Sequence, residues 1–564
     1  MKKTKKKRIN KRKISIFLIL LFLLIISIPL LLNIKKNEKI RRNNPNVILI
    51  CLDGATWNVV IPMVERGELP NFKKMIQNGA YGNLSSEPPL SPPGWTSIAT
   101  GMKQDKHQMF DFFTSFPGST KMVKSNSLMI NTQTLWQILN KFNKTVGTNN
   151  WLMTWPPLIK KGFVIPSWFA DTNLTYQTYP TNLREELNEN IKIKKISATE
   201  ENYKKYYSSY DDFWLEREQT GTGRLILESQ YLVDKYNPNL YAVGFYFTNN
   251  GQERFWKYME PEYYNVSKKK QERYGSVIFD FYKEIDKFIG PYINDEDITL
   301  IIVSDHGMRG FRDQDIVSGD HSHVLWKWKY NKILNKLGLL EFKNNSDEID
   351  WSKTKAYYAG GFAKHGVNLN LKEREKYGVV EQKEYDILKK DIIEKLLSIR
   401  FTNQDYIEGS STKLFNTIEN ESFPDIVLED YFRFKWGQGE KIYNKDIIIN
   451  NKIYNLKDFV ELNTWSAEHE VNGILIMKGP NIKKNKLISA DVIDVTPTIL
   501  YLFDLLIGRD MDGRVLIEAI NEEYLTYNHI DYVDSYNNKE VKSQNLTFIN
   551  KYTEEKLKSL GYIN

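Results

Sequence analysis

Asn46-Val47-Ile48-Leu49-Ile50-Cys51-Leu52-Asp53-Gly54 is an apolar run of strand length that stops abruptly at an acid and a glycine. A strand buried on both faces reads this way, and parallel strands of α/β proteins place functional groups at their carboxyl ends. The same pattern returns at Leu300-Ile301-Ile302-Val303-Ser304, followed by Asp305-His306-Gly307, and at Gly473-Ile474-Leu475-Ile476-Met477, shortly after His469. Between these runs lie helical patterns, among them Pro70 to Gly79 and Glu272 to Ile289. The alternation predicts an α/β fold with a mainly parallel central sheet flanked by helices. Stretches near 160–230 and 340–465 are rich in Tyr, Lys and Asn with weaker periodicity, and they read as insertions that cap the sheet. The tail from Thr553 to Leu560, closed by Gly561, reads as a capped helix within a C-terminal extension over 521–564.

The 564 residues carry 78 Lys+Arg and 70 Asp+Glu, a net charge of +8 that invites a nucleic-acid reading until the charge is located. Residues 1–42 hold fourteen basic residues and one acid, which leaves 64 basic against 69 acidic in the rest. The basic excess therefore belongs to the N-terminus, and nucleic acid is not expected as a partner. From Ile14 to Leu32 the chain runs nineteen residues without a charge, enough at about 1.5 Å per residue to cross a hydrocarbon core of roughly 30 Å. Asn33-Ile34-Lys35-Lys36 offers no small-residue cleavage site, so a retained transmembrane helix over 14–33 is expected between a basic tail, 1–13, and a stalk, 34–45. Nine Lys/Arg precede the span and five follow it, which predicts a cytoplasmic N-terminus and a body, 46–520, on the extracytoplasmic side of the membrane. With Cys51 the sole cysteine, no disulfide framework or cysteine-based metal cluster is available.

A metal must then be held by His, carboxylates and other oxygens. Asp53 is suited to the task, with a turn or helix-cap role as the alternative. The adjacent Asp305-His306 pair offers two ligating side chains of different geometry at one strand end. His469 alone is weak evidence, and gains weight from its position beside a strand in a chain with only seven histidines.

Beyond these points the motifs become specific. Val47 to Ala55, then Gly67-Glu68-Leu69-Pro70-Asn71-Phe72, Ser91-Pro92-Pro93-Gly94-Trp95-Thr96-Ser97-Ile98-Ala99-Thr100-Gly101 and Ser304-Asp305-His306-Gly307-Met308 follow one another in order. His469-x-x-x-Gly473 with Gly479-Pro480, Asp494 to Leu500, and Met511-Asp512-Gly513-Arg514 come after them. Together they resemble the alkaline phosphatase superfamily, in particular the type I phosphodiesterase/nucleotide pyrophosphatase branch and its predicted phosphohydrolase/phosphomutase group. The resemblance implies an alkaline-phosphatase-like fold and two divalent metals, often zinc, flanking a hydroxyl nucleophile. It places the nucleophile on Ser91, with Thr96 as the fallback, and one metal on Asp53, Ser91, Asp305 and His306, where zinc is expected.

The other metal site departs from the family pattern. Where relatives carry Thr-Asp-x-x-x-His, this chain has Thr248-Asn249-Asn250-Gly251-Gln252-Glu253. The resemblance leaves Asn249, Glu253 and the late His469 for the second ion, an oxygen-rich set suited to Mg²⁺, Mn²⁺ or Ca²⁺. An altered second metal, a one-metal enzyme and a catalytically reduced relative are all open. His321 and His323 could supply replacement ligands or touch substrate. His107 is expected to act, at most, through other residues, and Phe112 stands where nucleotide pyrophosphatases carry a phosphate-binding Asn. Trp151, Trp155 and Trp168 are read as core or cleft aromatics. The expected protein is a membrane-anchored, metal-dependent phosphoester hydrolase with a serine nucleophile. Alternatives are a transferase of phospho groups on lipid or glycan head groups and a non-catalytic binding protein of the same fold. The expected partner is a phosphoester substrate, free or linked to lipid or glycan.

Overall fold

The computed structural model describes residues 46–114, 123–167, 178–192, 202–264, 266–310, 325–344, 346–360, 365–375, 377–402, 415–419, 425–430, 445–463 and 466–537. The expected membrane span, the tail helix at 553–560, His321, His323 and Trp168 lie outside them. Among the described residues no helix is long and apolar enough to cross a membrane.

Ten strands build the main sheet and the antiparallel pair beside it: β1 (Asn46–Leu52), β2 (Ala80–Ser85), β3 (Val146–Trp151), β4 (Gly162–Pro166), β5 (Leu240–Phe245), β6 (Ile298–Val303), β7 (Gly307–Gly310), β8 (Ala467–Glu470), β9 (Asn472–Lys478) and β10 (Lys486–Asp491). Eight form one sheet in the order β10-β2-β9-β6-β1-β5-β3-β4. β1 lies at its centre, parallel to β5 on one side and β6 on the other. Its all-apolar sequence follows from that place. Val47, Leu49 and Cys51 enter one core, and Ile48, Ile50 and Leu52 enter the other, so both faces of the pleat are buried.

The helices that matter here are α1 (Trp57–Glu65), α2 (Pro70–Gln77), α3 (Ser91–Thr100), α4 (Tyr210–Tyr236), α5 (Phe247–Met259), α6 (Lys268–Tyr274), α7 (Val277–Ile293) and α8 (Val495–Leu502). α3 and α8 contribute to the core on one face of the sheet. α1, α2, α4, α5 and α7 contribute to the core on the other.

Three expectations need correction. The run at Gly473–Met477 lies in the sheet as β9, but antiparallel to both β6 and β2. β7 follows β6, β8 pairs antiparallel with β7 after the 156 residues of 311–466, and β8 turns directly into β9, which therefore runs back against β6. The single helix expected over 272–289 is two helices, α6 and α7, separated at Gly275-Ser276, where the Ser276 hydroxyl donates to Asp280 at 2.8 Å. Part of the stretch near 160–230 is not a cap: β4 is the edge strand, and α4 packs on β3 and β5. Described residues between 325 and 463 do pack on a core of their own, built on residues such as Ile333, Leu369, Ile392 and Ile447. Its two ends meet as paired antiparallel strands, Leu325–Trp328 and Val460–Asn463.

Candidate active site and metal centre

The carboxyl ends of β1 and β6, the first residue of α3 and the turn into β7 converge on one buried point. Asp53 follows β1, and Gly54 turns the chain with φ +64°, a left-handed conformation that favours glycine. A Cβ on Gly54 would sit 3.1 Å from Asn249 Oδ1 and 3.3 Å from His306 Cε1, so this glycine also keeps space between the two halves of the site. Gln252 holds the turn by donating to the Gly54 carbonyl at 2.8 Å, and Tyr282 donates to Gln252 at 3.3 Å.

Ser91 opens α3, and Pro92 and Pro93 follow it with backbone angles already set for a first helical turn. Gly94 lets that turn lie against Asp305, whose carbonyl oxygen would be 2.8 Å from a Cβ at position 94. The Ser91 Oγ consequently sits 3.3 Å from both Asp53 carboxylate oxygens and 3.3 Å from His306 Nε2. The fallback, Thr96, is a turn further along α3, and its hydroxyl donates to the Pro92 carbonyl at 2.7 Å. It is engaged within the helix and has no place among these groups.

His306 Nδ1 lies 2.9 Å from the Gly307 carbonyl, which can only accept, so Nδ1 carries a proton, and in the neutral ring that a metal requires Nε2 presents its lone pair to the site. That nitrogen is 3.4 Å from Asp53 Oδ1 and 3.4 Å from Asp305 Oδ2. His469, carried on β8 opposite Met308, is fixed in the same way by the Pro89 carbonyl, 2.9 Å from its Nδ1. Its ring stacks on that of His306 at 3.7 Å, and its Nε2 faces Glu253 Oε1 at 3.3 Å. Arg309 on β7 grips Glu468 and, at 3.7 Å, Glu470, the residues on either side of His469.

Electrostatics show what this cluster needs. Burial, and next the charge of Asp305, push the Asp53 carboxyl up to about 6. Burial opposes protonation of His306, but the Asp305 and Asp53 charges outweigh it and raise the imidazole to about 9. Asp305 Oδ2 and Asn249 Oδ1 are buried without a hydrogen-bond partner among the described residues. Donor atoms of Asp53, Asp305 and His306 lie within 4.8 Å of one another. Two buried carboxylates, an imidazole lone pair and orphaned oxygens fit a divalent cation. Asp53, Ser91, Asp305 and His306 would hold one ion, and Asn249, Glu253 and His469 would face a second.

Sequence reasoning missed the braces Gln252, Tyr282, Arg309 and the Pro89 carbonyl. Gln252 adjoins a quoted motif residue, whereas a backbone carbonyl leaves no mark in a sequence. Phe112 packs partly buried against the core. Trp151 is wholly buried, edge-on to Trp95 and Trp136, and is core.

His107 supports the nucleophile helix from behind. Its Nδ1 accepts from Met109 N at 3.0 Å, leaving Nε2–H to donate to Ser97 Oγ at 3.1 Å, and burial pushes its pKa down from 6.5 to about 3. The folded state thus needs the neutral ring, while the unfolded chain takes a proton below its ordinary value. Stability should be lost as pH falls from about 6.5 towards 3. Thermal melting against pH should give a shallower acid-side decline in His107→Gln than in the wild type, and equal slopes would count against the assignment.

A family model described as type I phosphodiesterase / nucleotide pyrophosphatase matches residues 47–441. No curated protein matches the sequence. Among solved structures, human ectonucleotide pyrophosphatase / phosphodiesterase 5 aligns at 13% identity and TM-score 0.45, covering 84% of this chain and 100% of that one. An inactive variant of the murine protein in complex with AMP aligns at 12% identity and TM-score 0.43, covering 85% and 100%.

Proposed function

The chain belongs to the type I phosphodiesterase / nucleotide pyrophosphatase family, whose members hydrolyse phosphoric ester bonds, and from that premise we propose a phosphodiesterase that uses Ser91 as its nucleophile. The observation that carries the reading is the Ser91 hydroxyl, held 3.3 Å from Asp53 and 3.3 Å from His306 Nε2 inside a buried donor set. A divalent ion bound there supplies charge neutralisation for the phosphoryl oxygens and a lowered serine pKa. The chain's own residues do the rest. Asp53 accepts the hydroxyl proton and aims Oγ; Oγ bonds to phosphorus as the bond to the leaving oxygen breaks, and that oxygen takes the proton from Asp53. Water then cleaves the serine phosphoester, giving one proton to Oγ and its hydroxyl to phosphorus, and a phosphomonoester is released. The direct test is release of p-nitrophenol from bis-p-nitrophenyl phosphate, abolished by chelation and restored by a divalent ion. No release with zinc, manganese, magnesium or calcium would sink the reading.

The finer assignment is one zinc at Asp53, Asp305 and His306 and a harder ion at Asn249, Glu253 and His469. The neutral amide of Asn249 and the carboxylate of Glu253 favour oxygen-seeking cations, which bind less tightly than zinc at a histidine-rich site. After gel filtration the wild type should retain one zinc per chain, and Asn249→Asp with Glu253→His should retain two. Two zinc ions on the wild type would refute the split. The uncharged run at Ile14–Leu32 and its flanking lysines support an anchored body outside the cytoplasm. Full-length chain should stay with membranes through alkaline carbonate, and a chain starting at residue 46 should not.

A further inference from the structure

Gln252 is wholly buried, and a polar side chain is costly to bury unless its hydrogen-bonding groups are used. Both ends of its amide are. Its Nε2 donates to the Gly54 carbonyl at 2.8 Å, and its Oε1 accepts from the Tyr282 hydroxyl at 3.3 Å. The partners fix the orientation of the amide, because a carbonyl can only accept and the nitrogen must therefore face Gly54. Tyr282, also wholly buried, accepts in turn from Thr56 N at 3.3 Å. Gln252 and Tyr282 together hold the turn after β1 at two points, Gly54 and Thr56.

That turn needs a hold from outside. Asp53 and Gly54 form its centre, and it is closed by Ala55 N donating to the Leu52 carbonyl at 3.1 Å. A glycine at φ +64° has other conformations open to it, and it has no side chain of its own to select among them. Both carboxylates of the first metal site depend on the choice. Asp53 directly precedes Gly54, and Gly54 N donates to Asp305 Oδ1 at 3.2 Å. A turn that shifts therefore moves one carboxylate and releases the other. Gln252 makes this contact from α5, where Asn249, Gln252 and Glu253 are spaced i, i+3 and i+4 and share one side of the helix. The helix that offers Asn249 and Glu253 to one ion is also the brace for the ligands of the other.

We propose that Gln252 is a positioning residue that sets the zinc affinity of Asp53, Asp305 and His306, and that Tyr282 acts on the same turn through it. The proposal rests on the reading of those three residues as a zinc site. The measurement is the zinc dissociation constant, obtained by competition with a chromophoric chelator, and it needs no turnover. Gln252→Leu keeps most of the bulk and loses the donor, and should weaken zinc by about 10- to 100-fold, the range for residues that orient metal ligands. Tyr282→Phe removes one hydroxyl and leaves Gln252 in place, and should weaken zinc by about threefold, the scale of one hydrogen bond. Because both act on one turn, the double variant should lose much less than the product of the two single losses. Ile333→Val, in the separate core of residues 325–463, should lower the melting temperature and leave zinc affinity unchanged. Tyr282→Phe keeps the test decisive should Gln252→Leu fail to fold. Wild-type zinc affinity in either variant, a double variant that loses the full product, or an equal loss in Ile333→Val would each overturn the proposal and leave the metal site standing. A wild type that binds no zinc would overturn the metal site itself, and the positioning role with it.

Discussion

Ser91→Ala should lower kcat on bis-p-nitrophenyl phosphate by roughly 10⁴-fold or more, the scale seen when a covalent nucleophile is removed and only binding and electrostatics remain. The expectation follows from geometry. Only one hydroxyl on α3 reaches the carboxylates, because Thr96 is tied to Pro92 and Ser97 faces His107. Ser91→Thr keeps an oxygen at the same place and should retain activity, reduced because a β-branched side chain is stiffer at χ1 and must find room in a fully buried turn. Bound metal should survive in both variants, since Asp53, Asp305 and His306 are untouched. Acid-quenched wild type should carry a p-nitrophenyl phosphate ester on Ser91 that is missing from the alanine variant. Full activity in Ser91→Ala would remove the serine from the mechanism.

Asp305→Asn should abolish turnover and bound zinc together, and yet make the metal-free protein more stable. Asp53, Asp305 and His306 are all buried, and without a metal the two carboxylates share a single imidazolium, which leaves one buried negative charge without a counterion. For the metal-free wild type, Asp53 titrates above its ordinary value, at about 6, so its stabilising protonated form is lost as pH rises through that value. His306, raised to about 9, loses its stabilising charged form as pH rises further. The metal-free wild type should therefore weaken as pH rises from about 4 to about 9, and zinc should reverse the trend. In Asp305→Asn the melting temperature at pH 8 should rise in the absence of metal and respond little to added zinc. A variant that still gains stability from zinc as the wild type does would show that Asp305 is not a ligand.

Some of this was legible in the residues and some could not be. β1 announced itself because a strand buried on both faces has no polar residue to hide, and Asp53 and Asp305-His306 announced themselves as charges placed where apolar runs stop. The direction of β9 was not legible: an antiparallel strand enclosed on both faces has the same composition as a parallel one, and only the long-range pairing of β8 with β7 decides it. β4 was misread for the opposite reason. It is a short strand ending at Pro166, and it sits at the sheet edge, where Pro costs no ladder hydrogen bond.

The pairing of β7 with β8 also sets an order of assembly. His306 and His469 stack face to face, yet more than a quarter of the chain separates them. Closing a disordered loop of that length before any native contact rewards it is slow, although the entropic cost grows only logarithmically. The residues between 325 and 463 shorten the search, because they have a core of their own and bring their ends together as paired strands. During synthesis, β1, α3 and β6 emerge before β8, so the residues of the first ligand set are made well before the histidine that stacks on them. Completion of the centre is then among the last events in folding, and a chain stalled before residue 467 carries every residue of the nucleophile side and none of the closure.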